Sequence, residues 1–252
     1  MNGPIHFDRR QVLAGGGALI VSFSLNGAVS AQVQGGSDSK PAPALPGSLK
    51  VSPYLDSWLR VDADGMITVF TGKAELGQGF KTAFQQIAAE QLDVPFASLK
   101  VVTADTGLTA NEGYTAGSHS MQDSGTAILN AAAQARALLL AEAAGRLELP
   151  ADALRTEQAA VIASDGRRLA YRELVAGGIL HVQAQPTSPL KDPATFTVMG
   201  QPIQRVDIPA KVTGGEAYVQ DMRIPGMVHA RVVRPPSYGA QLSACDMASV
   251  EK

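Results

Sequence analysis

Cysteine is almost absent from this chain. Its 252 residues hold one, Cys245, which cannot close an internal disulfide and cannot alone ligate an iron–sulfur cluster or a thiolate zinc ion. Any redox metal must therefore arrive in another form, and Cys245 itself reads as a small buried hydrophobe. Aromatic residues are sparse at 5%, the formal net charge is only -2, and there is no run of like charges. The small net charge and the lack of a basic stripe interleaved with aromatics argue against a nucleic-acid-binding surface. The sequence also lacks a Gly-x-Ser-x-Gly elbow and any metal-ligand spacing, and its histidines, His6, His119, His181 and His229, are scattered. Neither a Ser-His-Asp hydrolase nor zinc chemistry is supported. What remains, 45% hydrophobic and 17% charged residues, suits a globular enzyme of one or two domains.

Near the start, Arg9 and Arg10 are followed by Gln11, Val12 and Leu13, the uncharged residues 14–25, and the small residues Ser30 and Ala31. This is the order of a signal peptide: basic region, apolar region, cleavage site. The apolar part is about half of the ~20 residues that span a bilayer, which argues against a transmembrane helix. The arginine pair looks like a twin-arginine signal, the alternative being an ordinary secretory signal with an incidental pair. Residues 1–31 are accordingly assigned to export, and the mature chain is expected in the periplasm from about Gln32.

Residues 32–50 are rich in Gly, Ser, Pro and Ala and read as a flexible leader, with ordered structure starting near Val51. Two β-rich runs, 58–61 and 66–70, flank Asp62-Ala63-Asp64-Gly65, which is a hairpin signal. Apolar residues at Phe80, Ala83, Phe84, Ile87 and Ala88 recur at helical spacing and form a core stripe that ends before Asp93-Val94-Pro95. A short strand over 99–102 and an alanine-rich helix over 126–144 follow, with Gly145 as a candidate end cap. One more strand is expected at 160–163, then the turn Ser164-Asp165-Gly166 and a short helix over 171–175. The order implies an α+β module over 51–190. A second unit opens near Phe196, where the apolar runs 217–219 and 227–233 read as strands.

Two segments carry candidate chemistry. Thr71-Gly72-Lys73-Ala74-Glu75-Leu76-Gly77-Gln78-Gly79 joins a predicted strand to a predicted helix, with Gly77 and Gly79 bracketing one amide. Such a turn allows close approach of a ligand to backbone, and the helix start offers N–H groups to an anion. Gln78 could donate from its side-chain amide, whereas Glu75 is expected to meet nearby backbone N–H groups rather than act as a base. The bland reading is a tight connection. The second segment, 114–125, also precedes a helix. Ala116 and Gly117 leave room for a bulky planar group, and Ser118 and Ser120 offer hydroxyls. Its bland reading is a surface loop capped by Asp123 or Ser124.

Together these segments resemble the cofactor-binding portion of the molybdenum hydroxylase, or xanthine oxidase, family. The resemblance runs through a Glu-x-Gly-Gln-Gly turn at 75–79, Thr82 and Gln86 on the next helix, Asp105-Thr106, then Thr115-Ala116-Gly117-Ser118 and the alanine-rich helix. Residues 207–214, Asp-Ile-Pro-Ala-Lys-Val-Thr-Gly, resemble the start of that family's hammerhead domain. This order, directly after an export signal, is similar to the rearranged branch typified by the isoquinoline 1-oxidoreductase large subunit. The resemblance implies a molybdopterin-binding α/β module followed by the beginning of an α/β hammerhead domain over 196–252.

The resemblance further implies that Gln78 hydrogen-bonds the metal end of a molybdenum–molybdopterin, with cytosine dinucleotide as its tail, while Gly77 and Gly79 shape the turn. Ala116 and Gly117 would border the substrate cavity, and Ser118 and Ser120 would touch the pterin or its phosphates. No residue of this chain would ligate the metal directly. Family chemistry is hydroxylation of a nitrogen heterocycle, or oxidation of an aldehyde, with oxygen from water. The electrons would leave through a small 2Fe–2S subunit, with a c-type cytochrome as a further acceptor. Because the family's large subunit is much longer and the strand at 227–233 is left with unpaired edges, the chain alone is expected to be inactive and to need the remaining part of that subunit. Two other readings stand beside this one: a non-catalytic fragment, and an exported module for some other anionic ligand.

Overall fold

The computed structural model describes residues 43–175 and 178–249; the export segment and most of the leader lie outside them. The chain divides into two compact units, with the boundary between Ile208 and Pro209.

The first unit holds two three-stranded sheets. In one, β1 (Leu59–Val61) pairs antiparallel with β2 (Ile67–Thr71), and β2 pairs parallel with β3 (Leu99–Thr103). The hairpin between β1 and β2 forms as its Asp-Gly signal predicts. Asp62 N–H donates to the Met66 carbonyl at 2.8 Å, and Gly65 takes φ of 90°. All of β2 is buried, as expected of a central strand with both faces covered. Between β2 and β3 runs helix α1 (Phe80–Leu92), because parallel neighbours need a crossover. It ends at Asp93 in the left-handed conformation.

Helix α2 (Thr126–Leu147) packs against α1. Ala127, Ala131, Ala132 and Ala135 are at most 1% exposed, so small residues make this contact. Gly145 is not its cap: the helix runs two residues further and closes on Glu148 at φ of 53°. Nor does Asp123 or Ser124 cap its start. A π-helical turn, Met121–Gly125, continues into it, and Ser124 is buried. The second sheet is an antiparallel meander of β4 (Leu154–Glu157), β5 (Ala160–Ala163) and β6 (Arg168–Ala170), followed by α3 (Tyr171–Leu174).

Further assignments differ from the sequence reading. Order begins before Val51, since Ser48 and Leu49 are buried and a Cβ on Gly47 would overlap the Asp123 carbonyl. Residues 196–208 belong to the first unit rather than opening the second, because α1 side chains bind their backbone. In the second unit, 217–219 and 227–233 are not strands. Val219, Val228, Val232 and Val233 are 80–94% exposed, and a strand needs a partner ladder that the described residues of this unit do not form. Cys245 is exposed there, its Sγ 3.7 Å from Met247 Sδ, so it is not the buried hydrophobe its residue type suggests.

Candidate functional site

The topology explains why two segments distant in sequence meet. β2 and β3 run parallel in register, Thr71 opposite Thr103, so the loops that leave their carboxyl ends emerge side by side. The crevice beyond such strand ends is where open sheets bind ligands. Here it is a cavity of about 540 Å³, bordered by Leu76, Gln78, Gly79, Phe80, Ala83, Thr115, Ala116, Gly117, Ser118, Ser120 and Met121.

Side chains lash the two loops together. Lys73, 3% exposed, donates from Nζ to the carbonyls of Glu112 and Tyr114 at 2.8 and 3.0 Å. Thr115 Oγ1 accepts from Ala74 N–H at 2.8 Å. Glu112 Oε2 accepts from Thr71 Oγ1 and Gly72 N–H, both at 2.7 Å, while its Oε1 accepts from Ser124 Oγ. One carboxylate thus joins the end of β2 to the π-helical turn, using charge-assisted bonds of roughly 1.5–3 kcal/mol each. Gly72 is needed for space: a Cβ there would overlap the Ala110 carbonyl oxygen.

The Gln78 turn is folded on itself. Gly77 and Gly79 sit at φ of 109° and 84°, a region that disfavours other residues. Glu75 Oε1 accepts from the N–H groups of both, at 2.9 Å each, and Oε2 accepts from Lys81 N–H at 3.1 Å. Glu75 therefore meets backbone donors, as its sequence position suggests. It also occupies donors at the start of α1, so that end is not the open anion site the glycine-rich turn suggests. Gln78 Oε1 accepts from Leu76 N–H at 2.6 Å, and Nε2 donates to the Ala74 carbonyl at 2.9 Å. An amide nitrogen carries two protons, and this bond uses one.

The opposite wall is less committed. Gly117 and Ser118 occupy the left-handed region in succession, at φ of 66° and 60°. Among the described residues, neither the Ser118 nor the Ser120 hydroxyl has a protein partner. Six of the seven residues singled out from the sequence line the cavity: Gln78, Gly79, Ala116, Gly117, Ser118 and Ser120. Gly77 does not, and acts through its backbone conformation. Phe80 and Ala83, assigned to the core stripe, also form cavity wall. Thr82 and Gln86 instead bind the backbone of residues 198–206. Lys73 and Glu112 escape sequence reasoning. Their bonds cross about 40 residues of sequence; Lys73 and Thr115 lie inside the two motifs without a predicted role, and Glu112 lies outside both.

The cavity lining combines the Gln78 amide and the Ser118 and Ser120 hydroxyls with the apolar side chains of Leu76, Phe80 and Met121, the mixture that small-molecule sites present. The model of the molybdopterin cofactor-binding domain matches residues 29–212. One of the subunits of nicotinate dehydrogenase from Pseudomonas putida is 42% identical over 185 residues, 73% of this chain and 16% of that protein. The beta subunit of isoquinoline 1-oxidoreductase from Brevundimonas diminuta is 31% identical over 93% of this chain and 34% of its own length. A membrane-bound aldehyde dehydrogenase (pyrroloquinoline-quinone) of Gluconacetobacter polyoxogenes is 27% identical over 83% of this chain and 27% of its own length. The chain thus spans between about a sixth and a third of the curated relatives it matches. The similarity makes one assignment: the chain belongs to the molybdenum hydroxylase family, through its molybdopterin cofactor-binding domain.

Proposed function

We propose that this chain holds a molybdenum–molybdopterin, with a cytosine dinucleotide tail, in the cavity between the Gln78 turn and residues 115–121. The observation that carries the proposal is the convergence of two glycine-rich loops, nearly 40 residues apart, on one cavity with Gln78, Ser118 and Ser120 on its walls. When bound, the cofactor supplies the redox chemistry and the transfer of water-derived oxygen. The chain contributes binding and orientation. Gln78 offers its second amide proton, the two serines offer hydroxyls to pterin or phosphate oxygens, and Ala116 and Gly117 leave room for the substrate.

In the complete protein the substrate is a nitrogen heterocycle or an aldehyde, a choice supported by the names of the relatives. Electrons pass to a small 2Fe–2S subunit and onward to an acceptor such as a c-type cytochrome. Other segments of a longer large subunit complete the site. The arginine pair at Arg9 and Arg10 supports export of the loaded protein to the periplasm.

The test is to express the full chain in a host that makes the cofactor and to measure molybdenum, oxidised-pterin fluorescence and released cytidine nucleotide. Wild type should carry all three. Gln78→Ala should retain about tenfold less pterin, the equivalent of one buried hydrogen bond to a charged group. Full retention in that variant would remove Gln78 from the site. Phosphate binding without pterin would favour the anion-module reading, and wild type lacking both metal and pterin would overturn the proposal.

A further inference from the structure

Residues 197–206 run beside α1 and are held there by three of its side chains. Glu90 Oε2 accepts from the N–H groups of Thr197, Val198 and Met199 at 2.9, 2.6 and 3.0 Å. Gln86 Nε2 donates to the carbonyls of Val198 and Gln201 at 2.9 and 3.0 Å. Thr82 Oγ1 accepts from Val206 N–H at 3.0 Å. Positions 82, 86 and 90 are four apart, so they share one helix face. Together they lead the segment toward the amino end of α1, where Arg205 meets the Gln78 turn.

There the guanidinium is fixed in plane. Its Nε and Nη2 pair with the two oxygens of Asp207 at 3.0 and 2.7 Å, which leaves Nη1 to donate to the Gly77 carbonyl at 2.9 Å. Nη2 also stands 3.8 Å from Glu75 Oε1. A Cβ on Gly79 would come within 3.3 Å of Arg205 Nε, so the guanidinium packs on that glycine. Gln78 lies between two glycines, whose permissive backbones do little to fix the peptides on either side of Gly77. Here Glu75 holds the N–H of Gly77 and Arg205 holds its carbonyl.

We infer that Arg205 is a positioning residue for the cofactor turn: by holding the Gly77 carbonyl it sets the plane of the Gly77–Gln78 peptide, and with it the direction in which Gln78 meets the cavity. This rests on the proposed reading of the cavity as the molybdopterin site. Lysine cannot substitute fully, because a point-like ammonium cannot pair with a carboxylate bidentately and keep a third donor at a fixed angle.

Wild type, Arg205→Lys and Arg205→Ala are compared as full chains by two measurements. The first is amide hydrogen exchange without cofactor. Arg205→Ala should raise exchange at Gly77 and Gly79 by about tenfold, with Arg205→Lys between it and wild type. The second is pterin retention after expression in a cofactor-making host, which should fall in the same order. Wild-type exchange at both glycines in Arg205→Ala would overturn the inference. So would loosening spread evenly along residues 197–206, or full pterin retention despite a loosened turn. If wild type itself takes up no pterin, the functional reading fails, while the exchange measurement still decides whether Arg205 holds the turn.

Discussion

Along residues 71–79 the backbone is tied down by side chains from both near and far. Glu112 and Thr115 accept from Gly72 and Ala74, Glu75 accepts from Gly77 and Gly79, and Arg205 donates to Gly77. Along residues 113–120 the bonds are fewer: Gly113 N–H donates to Asn111, Lys73 Nζ and Ala74 N–H reach the Tyr114 carbonyl and Thr115 Oγ1 from the first wall, and beyond Thr115 there is only a long one from His119 N–H to the Ala116 carbonyl at 3.4 Å. Tyr114 is 94% exposed there. The first wall is pre-organised before any ligand arrives; the second keeps its donors uncommitted. A site built this way can fix the orientation of a bound group from one side and close on it from the other.

The harshest way to break the first wall is Gly72→Ala. Its φ is not in the left-handed region, so the cost is purely steric: the methyl would overlap the Ala110 carbonyl. Backbone must move, and with it the bonds of Gly72 N–H and Lys73. A destabilisation of about 3 kcal/mol is expected, read as a thermal midpoint lower by roughly 6–12 °C. A midpoint unchanged from wild type would show that residues 110–112 are free to shift, and that the first wall is no more rigid than the second.

How much of this was legible in the sequence depends on the range of the interactions. The β1–β2 hairpin, α1, β3 and α2 were readable because Asp-Gly turns, helical spacing and alanine content act within a few residues. The β4 and β6 strands were not, since Leu154–Glu157 and Arg168–Ala170 are short and half polar, and form by pairing with β5. Apolar runs at 217–219 and 227–233 misled in the opposite direction, as apolar character without a partner makes no strand. For the site, glycine and serine placement marked the cavity walls. Glu112 and Arg205 left no local trace, because they act on backbone groups 40 and 128 residues away.

Acid should loosen the segment that carries Arg205 to the first wall, because Glu90 holds its backbone. Burial alone would push the Glu90 carboxyl up, but the N–H groups of Val198, Met199 and Thr197 and the Lys191 ammonium outweigh it and hold it below its ordinary value of 4.5. The folded state therefore binds this proton less readily than the unfolded chain. The stabilisation is present above the ordinary value and is lost as pH falls through it toward the folded value. Asp62 is shifted the same way: burial would raise it, but Arg60, Lys100 and Thr68 outweigh that and lower it. Attribution therefore needs Glu90→Gln. That variant should show a shallower loss of stability between about pH 6 and about pH 3, and at neutral pH faster amide exchange in residues 197–206. An acid profile identical to wild type would mean that Glu90 does not anchor this segment.

The smallest effect on the fold is expected from the second wall, and its smallness is what sharpens the comparison. Ser118 stands at φ of 60° without being glycine, a conformation that costs about 1 kcal/mol. Its hydroxyl has no protein partner among the described residues to repay that cost. Ser118→Gly relieves the backbone and gains chain entropy on unfolding, two effects of opposite sign and similar size. The thermal midpoint should accordingly stay within ~3 °C of wild type. Ser120→Ala, at a half-buried position with no bond to lose, should leave it equally unmoved. If these hydroxyls serve the cofactor, the pair of substitutions should lower pterin retention several-fold while Tm is preserved, since a neutral hydrogen bond contributes about 1 kcal/mol. Gly72→Ala should lose stability and cofactor together, and the serine variants cofactor alone. Retention equal to wild type in both serine variants would leave the second wall as a passive border and place the recognition on the Gln78 side.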